Sequence, residues 1–179
     1  MRLLMLISDG MEECEALVTR DVLIRSKIDV VMFPTNGKSS VLSSHNLVVN
    51  CDTKKLNLFL YDGLILPGGG LGTKNLDSYI NMDSILKHFI EKGKLVCAIC
   101  AAPSVLGKRG YLNGKNFTCF SGFEKGINGN YTGDGVTVDG NIITAKSMYY
   151  SADFGLAIVK YLLGEEKMID VQNKIMSNM

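Results

Sequence analysis

Residues 95–103 read LVCAICAAP, and this stretch decides the expected architecture. Its first five residues are apolar, which is typical of a strand buried on both faces of a parallel sheet. Two alanines and Pro103 follow Cys100, so the chain can turn sharply from the strand into a short helix over 103–107. Cys100 is therefore predicted to lie at the carboxyl end of a buried strand, where open α/β sheets bind their ligands.

Short apolar runs alternate with amphipathic segments along the rest of the chain. Strands that alternate with helices predict an α/β fold with a mostly parallel sheet covered on both faces. Because no linker or repeat interrupts the pattern, we expect one domain over 1–179. The predicted buried strands are 3–7, 30–33, 63–66 and 95–99, the helices are 12–27, 83–92, 151–163 and 165–176, a small strand pair lies within 41–50, and a hairpin spans 136–144.

Composition narrows the class of protein. The 179 residues carry a formal net charge of +1, which gives no electrostatic argument for binding nucleic acid or an anionic membrane. The apolar run near the start is too short for a signal peptide or a membrane span. Five scattered cysteines do not suggest a disulfide framework. We therefore expect a cytoplasmic protein with reduced thiols.

Cys100 is the main candidate for chemistry. A thiol at the start of a helix can be ionised by the helix dipole and by free N–H groups, which predicts a reactive thiolate. The alternative is a buried and inert cysteine, because free cysteines are often fully buried. A C-x-x-C site formed with Cys97 is disfavoured, since Cys97 falls inside the strand and the chain has no second pair of zinc ligands.

Two other segments are expected to meet Cys100 at the edge of the sheet. Residues 67–72 read PGGGLG, and glycine N–H groups can approach a substrate and form an oxyanion hole, although a plain turn is the alternative. No Gly-Lys-Ser/Thr follows, so this is not a phosphate-binding P-loop. Glu15 lies one turn into the first helix, and burial beside a thiol would raise its pKa and let it move protons. A solvated face is the alternative for Glu15, as for its neighbours Glu12 and Glu13.

Neither histidine supports a Cys–His pair. His88 lies opposite the apolar stripe of its helix, and His45 lies in a polar stretch that reads SSHN. Both are therefore expected at the surface.

Several motifs together resemble the ThiJ/PfpI superfamily, in the subgroup of the parkinsonism-associated deglycase and its bacterial relatives. They are ECEA at 13–16, LPGG at 66–69, AICAAP at 98–103 and DFGLAIV at 153–159. The resemblance implies a flavodoxin-like three-layer sandwich, a homodimer and a site without metal or cofactor. It also implies that Cys100 is the nucleophile with Glu15 as its protonated partner. Gly69 and Ala101 would supply N–H groups to an oxyanion, with Gly70 a further candidate.

The activities that the resemblance implies are a glyoxalase or deglycase acting on small aldehydes or glycated substrates, a redox-sensing chaperone, and a peptidase or amidase. Many members carry a histidine where this chain reads FTCFS at 117–121, which disfavours the peptidase. Residues 147–150, SMYY, replace a frequent Gly-Pro-Gly-Thr and change the wall of the site. His45 is a candidate for the basic residue that a partner subunit places near the site.

Overall fold

A six-stranded sheet forms the centre of the protein. The computed structural model describes residues 1–51 and 57–177. Its strands are β1 (Arg2–Ile7), β2 (Asp29–Pro34), β3 (Ser40–Leu42), β4 (Val48–Asn50), β5 (Gly63–Leu66), β6 (Leu95–Ile99), β7 (Asn116–Phe117), β8 (Asn130–Tyr131), β9 (Val136–Asp139) and β10 (Ile142–Ala145). The sheet order is β2-β1-β5-β6-β10-β9, in which only β9 runs antiparallel to its neighbour. The mostly parallel sheet predicted from the sequence is confirmed.

Helices cover both faces of this sheet. They are α1 (Glu13–Arg25), α2 (Gly70–Asp77), α3 (Met82–Glu91), α4 (Pro103–Gly107), α5 (Ser151–Leu163) and α6 (Glu165–Ile175), with 3-10 turns at Leu58–Leu60 and Met148–Tyr150. Helices α1, α5 and α6 pack on one face, and α2, α3 and α4 pack on the other. Because both faces are covered, a central strand such as β1 is apolar without alternation, and residues 3–7 are fully buried. The three-layer sandwich is confirmed.

The tight turns also follow the sequence. The predicted hairpin forms as β9 and β10, and Gly140 between them has φ +59°, a conformation that glycine adopts without strain. The strand pair predicted within 41–50 forms as β3 and β4. No helix within 1–51 and 57–177 combines the length and apolar composition needed to cross a membrane.

Helix α2 is the element that the sequence analysis missed. Residues 67–72 were expected to form a glycine-rich loop, but the helix begins at Gly70. A Cβ atom on Gly72 would lie 2.5 Å from the Cα of Met11, so only glycine lets this helix pack against the loop after β1. The glycines therefore reflect close packing, a tertiary requirement that local propensity does not contain.

Candidate active site

Cys100 lies on the predicted sharp turn between β6 and α4. Its backbone has φ +62°, a left-handed conformation that costs a non-glycine residue roughly 1–2 kcal/mol. Two hydrogen bonds hold this conformation: the Cys100 N–H donates to the Ala145 carbonyl at 2.8 Å, and the Phe120 N–H donates to the Cys100 carbonyl at 2.8 Å. The following side chains, Ala101 and Ala102, are small and buried. The turn thus projects a half-buried thiol from the end of the sheet.

Glu15 faces this thiol from the inner side of α1. Its side chain is buried, with 1% of its surface exposed, and its Oε2 accepts the Gly68 N–H at 2.8 Å. The Cys100 sulfur interacts with the carboxyl group. Within the described residues, no nitrogen or oxygen atom is a hydrogen-bond partner of Glu15 Oε1. Few hydrogen-bond donors therefore reach this buried carboxyl. A buried carboxylate anion needs several, so the environment favours the protonated form.

The two groups share one low-dielectric environment. Burial raises the pKa of Glu15 to about 7, against 4.5 for a free side chain. Burial also raises the pKa of Cys100, and the negative charge of Glu15 adds to this effect, so that it reaches about 12. The pair therefore holds at most one negative charge at neutral pH, and the proton it retains is shared between carboxyl and sulfur.

The sequence predicts a Cys100 thiolate stabilised by a helix dipole, and the structure shows how much of a dipole the following helix can supply. Helix α4 has five residues and begins at Pro103, three positions after the thiol, so its dipole is small. The N–H groups of Gly69 and Ala101 do favour the anionic sulfur, but burial and Glu15 outweigh them.

The glycine segment before α2 approaches the thiol closely. The N–H of Gly69, whose φ is +86°, contacts the Cys100 sulfur together with that of Ala101. Gly70 starts α2, and a Cβ atom there would meet nothing within 4 Å. Three of the residues proposed from the sequence, Cys100, Gly69 and Ala101, are thus brought together with Glu15, whereas Gly70 lies beside them.

Gly68 has a positioning role that the sequence analysis did not assign. A Cβ atom at Gly68 would lie 2.7 Å from the Cys100 Cβ and 2.7 Å from Glu15 Oε2. Its N–H is occupied by Glu15 and is not available for a substrate oxygen. The glycine run was the available signal, but it did not reveal which glycine orients the acid and which ones face the sulfur.

The histidines lie away from Cys100. His45 is on the outer side of α1, where its Nδ1 lies 2.8 Å from Glu13 Oε1, and 71% of its side chain is exposed. His88 contacts the Phe59 carbonyl through Nε2 at 3.1 Å. The stretch 117–121, in which the resemblance implied a frequent histidine, reads FTCFS and contains none. Cys97 is fully buried within β6, and burial raises its pKa well above the usual value, so a C-x-x-C dithiol has no support.

Comparison with known proteins gives consistent matches. A model described as the DJ-1/PfpI family matches residues 1–161. Protein dj-1beta of Drosophila melanogaster is 33% identical over 94% of this chain and 92% of its own length. Its crystal structure has a TM-score of 0.90 at 30% identity, covering 98% and 97% of the two chains. The Caenorhabditis elegans protein named glutathione-independent glyoxalase DJR-1.2 is 30% identical over 92% of this chain and 90% of its own. An oxidised DJ-1 structure from Toxoplasma gondii has a TM-score of 0.90 at 25% identity, covering 98% and 97%.

Proposed function

Because the chain belongs to the DJ-1/PfpI family, we propose that it is a cofactor-independent cysteine enzyme of the glyoxalase or deglycase type. Its substrates would be small reactive aldehydes or their protein adducts, and its role would be stress protection in the cytoplasm. One observation carries this proposal: a thiol faces a buried carboxyl whose pKa is raised to about 7. A general base with a pKa near the operating pH suits repeated proton transfer.

The proposed reaction with methylglyoxal uses Glu15 as the proton carrier until the thioester has formed. Ionised Glu15 takes the thiol proton while the Cys100 sulfur adds to the aldehyde carbon, and the new alkoxide lies near the N–H groups of Gly69 and Ala101. Glu15 returns the proton to that oxygen, which gives a hemithioacetal. It then moves a proton from the hemithioacetal carbon to the neighbouring carbonyl carbon by way of an enediol. The hydroxyl proton of the hemithioacetal ends on the former ketone oxygen, which gives a thioester of lactate. Water releases lactate and restores the thiol, so the net change is the addition of one water.

Lactate formation from methylglyoxal by purified protein tests this proposal. We expect Cys100→Ser to abolish turnover, because a hydroxyl is a much weaker nucleophile. As a control, Cys14→Ser alters an exposed cysteine at the start of α1 and should retain the wild-type rate. Equal rates for wild type and Cys100→Ser would show the proposal to be wrong.

A redox-sensing chaperone without turnover is the second candidate. The half-buried sulfur of Cys100 and the oxidised state of a structural neighbour favour it. Two oxygen atoms from peroxide would convert the thiol to a sulfinic acid, which protonated Glu15 could hydrogen-bond. Mass spectrometry after mild peroxide treatment should show a gain of two oxygens at Cys100 ahead of the other cysteines. Uniform or absent oxidation would contradict this candidate.

We further propose that the protein is a homodimer. Exposed apolar side chains lie on α1 and on the β3–β4 pair, and the Ser44 hydroxyl between β3 and β4 donates to Glu13 Oε2 of α1 at 3.1 Å, which links the two segments. Val48 of β4 is 62% exposed. His45 lies in the same region and would contact the partner subunit's site. Sedimentation velocity should show a dimer for wild type and a monomer for Val48→Lys; a wild-type monomer would contradict the proposal.

A further inference from the structure

A cavity of about 310 Å³ opens beside the Cys100 turn. Helix α2, helix α4 and the segments 122–123 and 125–127 form its walls. Gly70 in this wall follows Gly69, whose N–H contacts the Cys100 sulfur. Ser104, also in the wall, donates its hydroxyl proton to the Ala101 carbonyl at 2.7 Å. The cavity therefore adjoins the backbone on both sides of the candidate active site, although Cys100 itself does not line it.

Lysine side chains give this cavity a positive charge. Lys74, Lys108 and Lys125 line it, and the only carboxylate among its lining residues is Asp77, which leaves two net positive charges. Asp77 is already paired, because its Oδ2 lies 2.6 Å from the Lys108 Nζ and its Oδ1 lies 2.5 Å from Arg109. Lys74 and Lys125 make no ion pair with any described residue.

Thr73 provides a second, independent indication of a ligand. It lines the cavity and is 5% exposed, and its hydroxyl has no hydrogen-bond partner among the described residues. A buried hydroxyl without a partner costs roughly 1–3 kcal/mol, so most such groups in proteins are satisfied. The nearby Ser104 hydroxyl, by contrast, already donates its hydrogen bond to the Ala101 carbonyl. A ligand oxygen at the α2 wall would have Thr73 as a candidate donor.

We propose that this cavity binds the phosphate group of a small phosphorylated molecule. Two net positive charges in the cavity match the charge of a phosphate dianion better than they match the single charge of a carboxylate. Lysine ammonium groups bind phosphate as compact point charges. The volume is at the lower end of the range for small-molecule sites. This preference for a substrate rests on the proposed function: the cavity would favour aldehydes that carry a phosphate group.

Calorimetric titration tests the site separately from the chemistry. The Cys100→Ser protein is titrated with glycerol 3-phosphate, with glycerate and with glycerol, so that binding is measured without turnover. We expect glycerol 3-phosphate to bind at least about tenfold more tightly than glycerate, and glycerol to give no binding. Lys74→Ala combined with Lys125→Ala should weaken phosphate binding about tenfold or more. The control Lys92→Ala, which removes an exposed charge at the end of α3, should leave it unchanged.

Thr73→Val sharpens the result, because valine has the same shape and lacks the hydroxyl. We expect weaker phosphate binding with unchanged or higher thermal stability. The proposal is overturned if glycerol 3-phosphate and glycerol bind equally or not at all. It is also overturned if the double lysine variant binds like wild type, or if Lys92→Ala weakens binding equally. A protein that binds the phosphate but forms no lactate would refute the proposed function alone.

Discussion

Glu13 and Glu15 lie two residues apart at the start of α1, yet their environments differ. On the outer side, burial opposes ionisation of Glu13, but hydrogen bonds from its own backbone, Ser43, His45 and Ser44 lower its pKa to about 2. On the inner side, Glu15 meets one backbone N–H and a sulfur, and burial raises its pKa to about 7. The number of donors that reach a carboxyl decides whether it stays an anion or becomes a proton carrier.

The largest expected difference between Glu13 and Glu15 is in the activity of their matched amide variants. Glu15→Gln keeps the side-chain shape but cannot accept or return a proton, so lactate formation should fall about 10²- to 10⁴-fold. Glu13→Gln should change the rate less than about threefold. In the wild type Glu13 stays ionised near neutral pH and faces away from the sulfur, so it is not expected to carry a proton in the reaction. Steady-state kinetics on methylglyoxal measures both. Similar losses in the two variants would show that the inner and outer carboxyls do not differ in function.

Stability against pH gives the next largest effect. The folded-state pKa of Glu15 lies above its free value of 4.5, so the folded protein binds the extra proton between about pH 4.5 and 7. The stabilisation that this extra proton gives the folded state is therefore lost as pH rises through this window. The free energy of unfolding falls by about 3 kcal/mol in total. Glu15→Gln should be more stable than wild type at pH 8 by up to this amount, and the difference should shrink towards pH 4.5.

Urea unfolding of wild type and Glu15→Gln at pH 5 and pH 8 measures this difference. Glu91→Gln, an exposed change on α3, provides the control and should show no such dependence. A gain for Glu15→Gln that is equal at both pH values would mean that ionisation of Glu15 is not its source.

Alanine at two neighbouring glycines tests how closely the inner region is packed. Gly68→Ala would place a methyl group against the Cβ of Cys100 and the carboxyl of Glu15, and should cost about 1–3 kcal/mol of stability as well as activity. Gly70→Ala meets open space at the start of α2 and should be neutral or slightly stabilising. Chemical unfolding and lactate formation report both effects. A neutral Gly68→Ala would contradict the close approach.

The pH dependence of Cys100 alkylation is the smallest expected effect. As Glu15 loses its proton, it becomes able to accept that of the thiol, so the rate should rise about tenfold from pH 6 to pH 8, with a midpoint near 7. Iodoacetamide labelling followed by mass spectrometry gives this rate. In Glu15→Gln the midpoint near 7 should disappear, whereas Glu13→Gln should keep it. A midpoint retained without Glu15 would assign it to another group.

Much of the architecture could be predicted because the relevant signals are local. Continuous apolar runs such as 3–7 and 95–99 indicated strands covered on both faces, and Asp139-Gly140 indicated a tight hairpin turn. Helix α2 could not be predicted in this way, because Gly72 is required by the approach of Met11 from a distant segment.

The sequence by itself determined the order of strands and helices and the turn that carries Cys100, since hydrophobic pattern and turn residues act over a few positions. The tertiary structure decided which of three neighbouring glutamates faces the sulfur and that the pKa values of both facing groups are raised. Those outcomes depend on removal from water and on donors from Gly68, Gly69 and Ala101, which folding brings together from distant parts of the chain.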